Sequence, residues 1–128
     1  MDNVERATTI RVKRSPPKTY NDSTFQGSKL SISDTDSIVP AIYALNTDTR
    51  TAQATHNIYA YRIRSGDTYI EHFEDDGEYG AGRRLLQMLQ QKDISNTMIC
   101  CSSWCGENKL GAARFEYIKE ACQIVLDM

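Results

Sequence analysis

Two β-rich runs, His56–Arg64 (HNIYAYRIR) and Thr68–Glu74 (TYIEHFE), stand on either side of Ser65-Gly66-Asp67. Aromatic and branched residues fill both runs, and the Ser-Gly-Asp between them is a tight-turn signal. The pattern predicts an antiparallel hairpin. Closed around those turn residues, it sets Tyr59 against Phe73 and Tyr61 against Glu71. It also brings His56-Asn57 opposite Asp75-Asp76. A one-residue slip would change these partners but keep the neighbourhood.

The hairpin runs directly into FEDDGEYGAG (Phe73–Gly82), which packs four carboxylates and three glycines into ten residues. Three kinds of chemistry compete for it. A divalent-metal site needs oxygens converging on one point, whereas Asp75 and Asp76 are consecutive and diverge. A phosphate loop would use Gly77, Gly80 and Gly82 ahead of a helix, but the carboxylates repel an anion and no Gly-Lys-Ser/Thr follows. The third reading is a strand-to-helix turn whose carboxylates cap the N–H groups of the next helix. The open end of the hairpin then gathers His56, Asn57, Asp75, Asp76 and Glu78 into one expected pocket, with His56 bonded to or close to a carboxylate. Trp104, after a buried strand, is expected half-exposed, either as a packing residue or as an anchor for a partner.

Elsewhere the pattern predicts strands over Ala7–Ser15 and Ser23–Ser33, with a loop at Ser15–Asp22 because Pro16 and Pro17 lack ladder donors. A helix follows with Ile38, Ile42 and Leu45 on one face and Val39 and Tyr43 beside them. It is capped between Ser33 and Thr35, and Pro40 must lie in its first turns. Gly82–Gln91 reads as a helix with Leu85, Leu86 and Leu89 inward and Arg83 and Arg84 solvated. Thr97–Ser103 reads as a buried strand, and Leu110–Leu126 as a closing helix with Phe115, Ile118, Cys122 and Val125 inward. The class is α+β, in the order β-β-α-β-β-α-β-α, a sheet covered by helices. Residues 1–22 form a flexible or edge-strand N-terminal segment and 23–128 the domain. The four cysteines fit no zinc spacing and read as reduced, three of them in the core.

Charge narrows the function classes. The net charge of −2 gives no general attraction to nucleic acid or anionic membrane. Basic residues do cluster at Arg11, Lys13, Arg14 and Lys18, while residues 67–78 carry six carboxylates and no Lys or Arg. The sequence holds no apolar run long enough to span a bilayer and no signal-peptide pattern, which points to the cytosol.

ATHNIYAYRI (Ala54–Ile63), EDDGEYGAGRRLL (Glu74–Leu86), SSWCGENKLGAARF (Ser102–Phe115) and STFQG (Ser23–Gly27) together resemble the Impact family, in its order and spacing. The resemblance implies a domain related to the second domain of a small-subunit ribosomal protein. It also implies a regulator that inhibits the amino-acid-starvation kinase acting on the α subunit of initiation factor two, by competing for the kinase's ribosome-associated activator. Eukaryotic members carry an N-terminal RWD domain for which this chain has no room, so a stand-alone member or an isolated domain is expected. The family's SRWYGG stands here as Ser102-Ser103-Trp104-Cys105-Gly106-Glu107, and Ala112 replaces a proline. The lost arginine would be the one cation able to balance the acidic loop or hold a phosphate.

The expectation is therefore a non-enzymatic cytoplasmic regulator working by protein contact, with no cofactor, no metal and no membrane. The pocket residues are His56, Asn57, Asp75, Asp76, Glu78 and Trp104. The alternative is an RNA- or ribosome-binding module using Arg11, Lys13, Arg14 and Lys18, and a hydrolase or transferase at His56 and Asp76 comes third.

Overall fold

A computed structural model describes residues 2–128. Its framework is one antiparallel sheet with helices on both faces, the α+β arrangement expected. Strands β1 (Lys13–Arg14), β2 (Lys18–Tyr20), β3 (Ser23–Ser31), β4 (His56–Ser65), β5 (Thr68–Glu74) and β6 (Thr97–Trp104) form it. The helices are α1 (Asn3–Ala7), α2 (Ile38–Leu45), α3 (Thr49–Ala52), α4 (Ala81–Gln91) and α5 (Ala113–Leu126). The sheet order is β1-β3-β6-β4-β5, with β2 also pairing with β3.

Alternation along the central strands divides the core in two. Phe25, Ile58, Ala60, Ile99 and Cys101 meet Leu85 and Leu89 of α4 and Ile118 and Cys122 of α5. On the other face Leu30, Tyr61, Ile63, Met98 and Cys100 meet Ala41 and Leu45 of α2. Cys100 and Cys101 thus go to opposite faces, as consecutive strand residues must. Cys100, Cys101 and Cys122 are buried and Cys105 is exposed. Burial pushes the Cys100 thiol up to about 12, which keeps it protonated and inert.

The N-terminal region differs from the alternating pattern. The strand expected over Ala7–Ser15 shrinks to Lys13–Arg14, and Asn3–Ala7 is helical instead. Asp2 caps that turn by accepting the Glu5 N–H at 2.8 Å, a local bond that outweighs a weak period-two signal. The segment after the prolines pairs as β2, joined to β3 by a two-residue turn in which Asn21 (φ 49°) and Asp22 (φ 67°) are both left-handed, the type I′ geometry. α3 escapes the periodicity reading because it spans one turn, built on Asp48, which accepts N–H bonds from Arg50 and Thr51. Pro40 is the third residue of α2, where its missing N–H costs nothing.

The β4–β5 register is shifted by one residue from the expected one. Tyr59 pairs with Glu74, Ala60 with Phe73 and Tyr61 with His72. The cause is the turn. Only Gly66-Asp67 lies between the paired Ser65 and Thr68, with Gly66 at φ +62°, so the loop has two residues rather than three.

Candidate functional site

The acidic loop is held by its own carboxylates. Asp75 accepts the N–H groups of Gly82 at 2.8 Å and Gly80 at 3.1 Å, so it caps the start of α4. Asp76 has left the strand, at φ 47°, and its Oδ2 accepts the Asn57 N–H at 2.7 Å. Continuing the ladder past Tyr59–Glu74 makes position 76 the partner of Asn57. A side-chain oxygen therefore replaces the backbone carbonyl where β5 turns away.

Glu78 was expected to cap α4 and does not. Its Oε2 accepts from Arg114 Nε at 2.9 Å, across to the first turn of α5. The cation thought missing with the family's arginine is thus supplied by Arg114, in the LGAARF segment. Arg114 and Arg84 lie over Phe115, at 4.4 and 4.1 Å from the ring centroid. Arg84, read as merely solvated, also donates to the Gly80 carbonyl at 3.0 Å. Pairing an acid at position 78 with a base at 114 is a tertiary event, and no local spacing announces it.

His56 Nδ1 lies 2.6 Å from the Asp76 carbonyl oxygen, so its partner is backbone rather than the expected carboxylate. That contact makes Nδ1 the protonated nitrogen. By alternation His56 shares the face of Ile58 and Ala60, beneath Gly77, whereas Asn57 points to the opposite face. Asn57 there donates Nδ2–H to the Thr51 carbonyl at 2.8 Å and accepts the Ser102 hydroxyl at 2.6 Å.

Of the six residues expected in one pocket, Asn57 and Asp76 share a cleft, while Glu78 and Trp104 line others. A cleft of about 300 Å³ on the α4/α5 side is lined by Phe25, Glu78, Cys105, Leu110 and Arg114. A second of about 300 Å³ on the α2/α3 side holds Asn57, Tyr59, Glu74, Asp76 and Cys100. Burial, then the charge of Glu74, raises the Tyr59 hydroxyl above its ordinary range, so the second cleft has a neutral phenol on its floor. Trp104 lines a third cleft with Pro17, Gln26 and Arg50, half-buried and donating Nε1–H to the Arg50 carbonyl at 3.0 Å. Asp75 is turned into the loop itself. Alternation sends neighbours on a strand to opposite faces, so a shared hairpin end does not make a shared pocket.

The basic N-terminal residues also separate. Arg14 is half-buried and reaches across to α2 and α3, bonding Ser28, Thr51 and the Leu45 carbonyl at 2.9, 3.0 and 2.9 Å. Lys18 pairs with Glu120 at 3.4 Å. Arg11 and Lys13 are exposed. Asp22, which the motif reading passed over, holds the loop after β6 by accepting the N–H groups of Glu107 and Asn108 at 3.1 and 3.3 Å. Among the described residues no group of three His, Cys, Asp or Glu side chains is placed to hold a metal ion. No helix among them is long and apolar enough to cross a membrane.

Residues 21–126 match the family model of the Impact N-terminal domain. Protein IMPACT of Rattus norvegicus is 38% identical over 112 residues, covering 86% of this chain and 35% of that protein. Protein IMPACT of Homo sapiens is 35% identical over 130 residues, covering 95% of this chain and 41% of that one. The chain spans well under half the length of the curated relatives it matches. A solved structure of the two-domain translational regulator Yih1 superposes with a TM-score of 0.64 at 25% identity, over 91% of this chain and 46% of that one. A hypothetical protein superposes with a TM-score of 0.72 at 16% identity, over 91% of this chain and 61% of that one, a likeness of fold.

Proposed function

The chain belongs to the Impact family, and on that premise we propose that it is a translational regulator acting by protein contact rather than by catalysis. Its target in this reading is the ribosome-associated activator of the amino-acid-starvation kinase, for which it competes in the cytosol. Inhibition of the kinase then follows from losing its activator.

The observation that carries the non-enzymatic part is how the acidic loop uses its chemistry. Asp75 caps a helix, Asp76 completes a strand pairing and Glu78 neutralises Arg114. A catalytic carboxylate needs an oxygen presented to substrate beside a proton donor or acceptor of matched affinity. These three are committed to holding the loop, and His56 is tied to a backbone carbonyl.

The test is a reconstituted phosphorylation reaction containing the kinase, its activator and the α subunit of initiation factor two. Added chain should lower phosphorylation only when the activator is present, and excess activator should restore it. Inhibition that persists without the activator would refute competition.

A further inference from the structure

Among the described residues, strand β5 is the outermost strand on its side of the sheet, paired only with β4. Ser65 and Thr68 flank the two-residue turn and so form a hydrogen-bonded pair. Antiparallel alternation then gives Ile70, His72 and Glu74 their bonds to β4 and turns the N–H and C=O groups of Tyr69, Glu71 and Phe73 outward. The bonds from Asn57 N–H to Asp76 and from Arg64 N–H to Asn96, on opposite sides of β4, agree with that phase. None of the outward groups of Tyr69, Glu71 and Phe73 meets a protein partner among the described residues. Every β5 residue except Phe73 is exposed, including Tyr69 at 38% and Ile70 at 37%.

Sheet edges of this kind are normally blunted by short length, proline, charged side chains (lysine above all), a bulge or a covering segment. The opposite side of the sheet follows that rule. There β1 and β2 are two and three residues long, and Pro16-Pro17 sits between them. Thr68–Glu74 contains no proline, lysine or glycine, and none of its residues has a positive φ. It is an edge of seven residues paired to β4 without a break in register.

Its charge selects what can pair there. A second copy joining antiparallel about Glu71 would set Glu71 against Glu71, and like charges directly opposite destabilise a ladder. Around the edge stand Asp67, Glu71, Glu74 and Asp76, with Arg62 and Arg64 on β4 and His72 beside Glu74 at 2.8 Å. Glu71 bonds Arg62 and Gln90 through Oε2. On the α4 face Tyr69 and Phe73 flank Glu71, and Arg62 stacks on Tyr69 at 3.7 Å. On the other face Ile70 precedes His72 and Glu74. Each face thus offers an apolar position next to an acid.

We propose that the free edge of β5 docks an extended segment of a partner protein, with basic and apolar residues in alternation, which joins the sheet as an added strand. Main-chain bonds to Tyr69, Glu71 and Phe73 supply the attachment, and the acids at 71 and 74 select the partner. This surface is independent of the activator named above, so competition in the kinase assay can fail while strand addition holds, and the reverse.

The probe is an acetylated, amidated octapeptide alternating lysine and valine, added to isotope-labelled protein and followed by amide NMR. At saturation, exchange of the Tyr69, Glu71 and Phe73 amides should slow by at least about tenfold, while Ile70 and His72, already bonded to β4, change little. The same peptide N-methylated at every residue keeps its charge but can donate from neither edge, and should bind at least about tenfold more weakly. Tyr69→Pro deletes one outward donor and no β4 bond, together with the ring under Arg62, and should weaken binding similarly while thermal unfolding stays cooperative at a slightly lower midpoint. If that variant unfolds, the N-methylated peptide decides alone. Equal binding by both peptides, protection elsewhere on the protein, or no binding at low salt overturns the proposal. So does self-association of the protein through β5.

Discussion

Asp75 and Asp76 are adjacent acids with unrelated tasks, and the difference lies in where the strand ends. Asp75 still follows the β5 direction and folds back over Gly80 and Gly82, while Asp76 swings out to Asn57. Asp75→Ala removes the acceptor for two N–H groups at the start of α4, which should cost on the order of 1–2 kcal/mol in urea unfolding, with the slope unchanged. Asp48 makes a second residue-scale prediction. Its burial would raise its pKa, but the N–H groups of Arg50 and Thr51 and the charges of Arg14 and Arg50 outweigh that and lower it below 3.8. A carboxylate held low in the folded state stabilises above its ordinary pKa, and that stability is lost as pH falls through the lowered value. Asp48→Asn keeps the cap acceptor without the charge, so its stability should fall less steeply than the parent's below about pH 4. The sequence made the cap legible as a class of interaction. It did not say which acid would serve, because the partner that takes Glu78 away from the cap, Arg114, is 36 residues along the chain on α5.

At the scale of elements, long periodic segments were readable and short ones were not. α4, α5, β3, β4 and β6 appear where the pattern placed them: the helices repeat apolar residues because each buries one face, and β6 reads as an apolar run because the sheet is covered on both faces. α1, β2 and α3 are five, three and four residues long, too short to show a period, and depend on caps and turns. The hairpin register was missed by one residue because a two-residue and a three-residue turn share the same Ser-Gly-Asp signal. That slip exchanged the partners of every aromatic residue on β4 yet left His56 and Asn57 beside Asp76, since displacement by one residue is about 3.3 Å. One contact between elements lends itself to measurement. A Cβ on Gly27 of β3 would come within 2.3 Å of the Ala121 carbonyl oxygen on α5, a backbone atom that cannot rotate away. Gly27→Ala should therefore push α5 off the sheet and cost about 1–3 kcal/mol of unfolding free energy. An unchanged denaturant midpoint would mean that the helix rides higher on β3 than described.

For the molecule as a whole, the decisive matter is where its positive charge can act. An RNA-binding reading relied on Arg11, Lys13, Arg14 and Lys18, yet Arg14 bridges β3, α2 and α3 and Lys18 faces Glu120. Two exposed cations, Arg11 and Lys13, are left in that segment, on a protein of net charge −2. Each phosphate contact contributes nearly one unit to the slope of log affinity against log salt, so two contacts give a shallow slope and weak binding. The prediction is that single-stranded and duplex RNA of ordinary sequence bind no tighter than the non-specific range, about 10⁻⁴ to 10⁻⁶ M at physiological salt. Replacing Arg11 and Lys13 by alanine should leave the melting temperature unchanged, because neither side chain holds the fold. Deleting residues 1–14 is a different experiment, although the sequence places them in a flexible or edge-strand segment. Ile10 and Val12 pack against the α2-side core and Arg14 ties three elements together, so the truncated chain should melt lower, by on the order of 5 °C for each kcal/mol lost. Filter binding across a sodium chloride series, with the double alanine variant beside the parent, separates the two functions. Tight binding that falls steeply with salt and vanishes in the variant would make RNA the partner, whereas a flat, weak response in both removes the basic N-terminal residues as an RNA site.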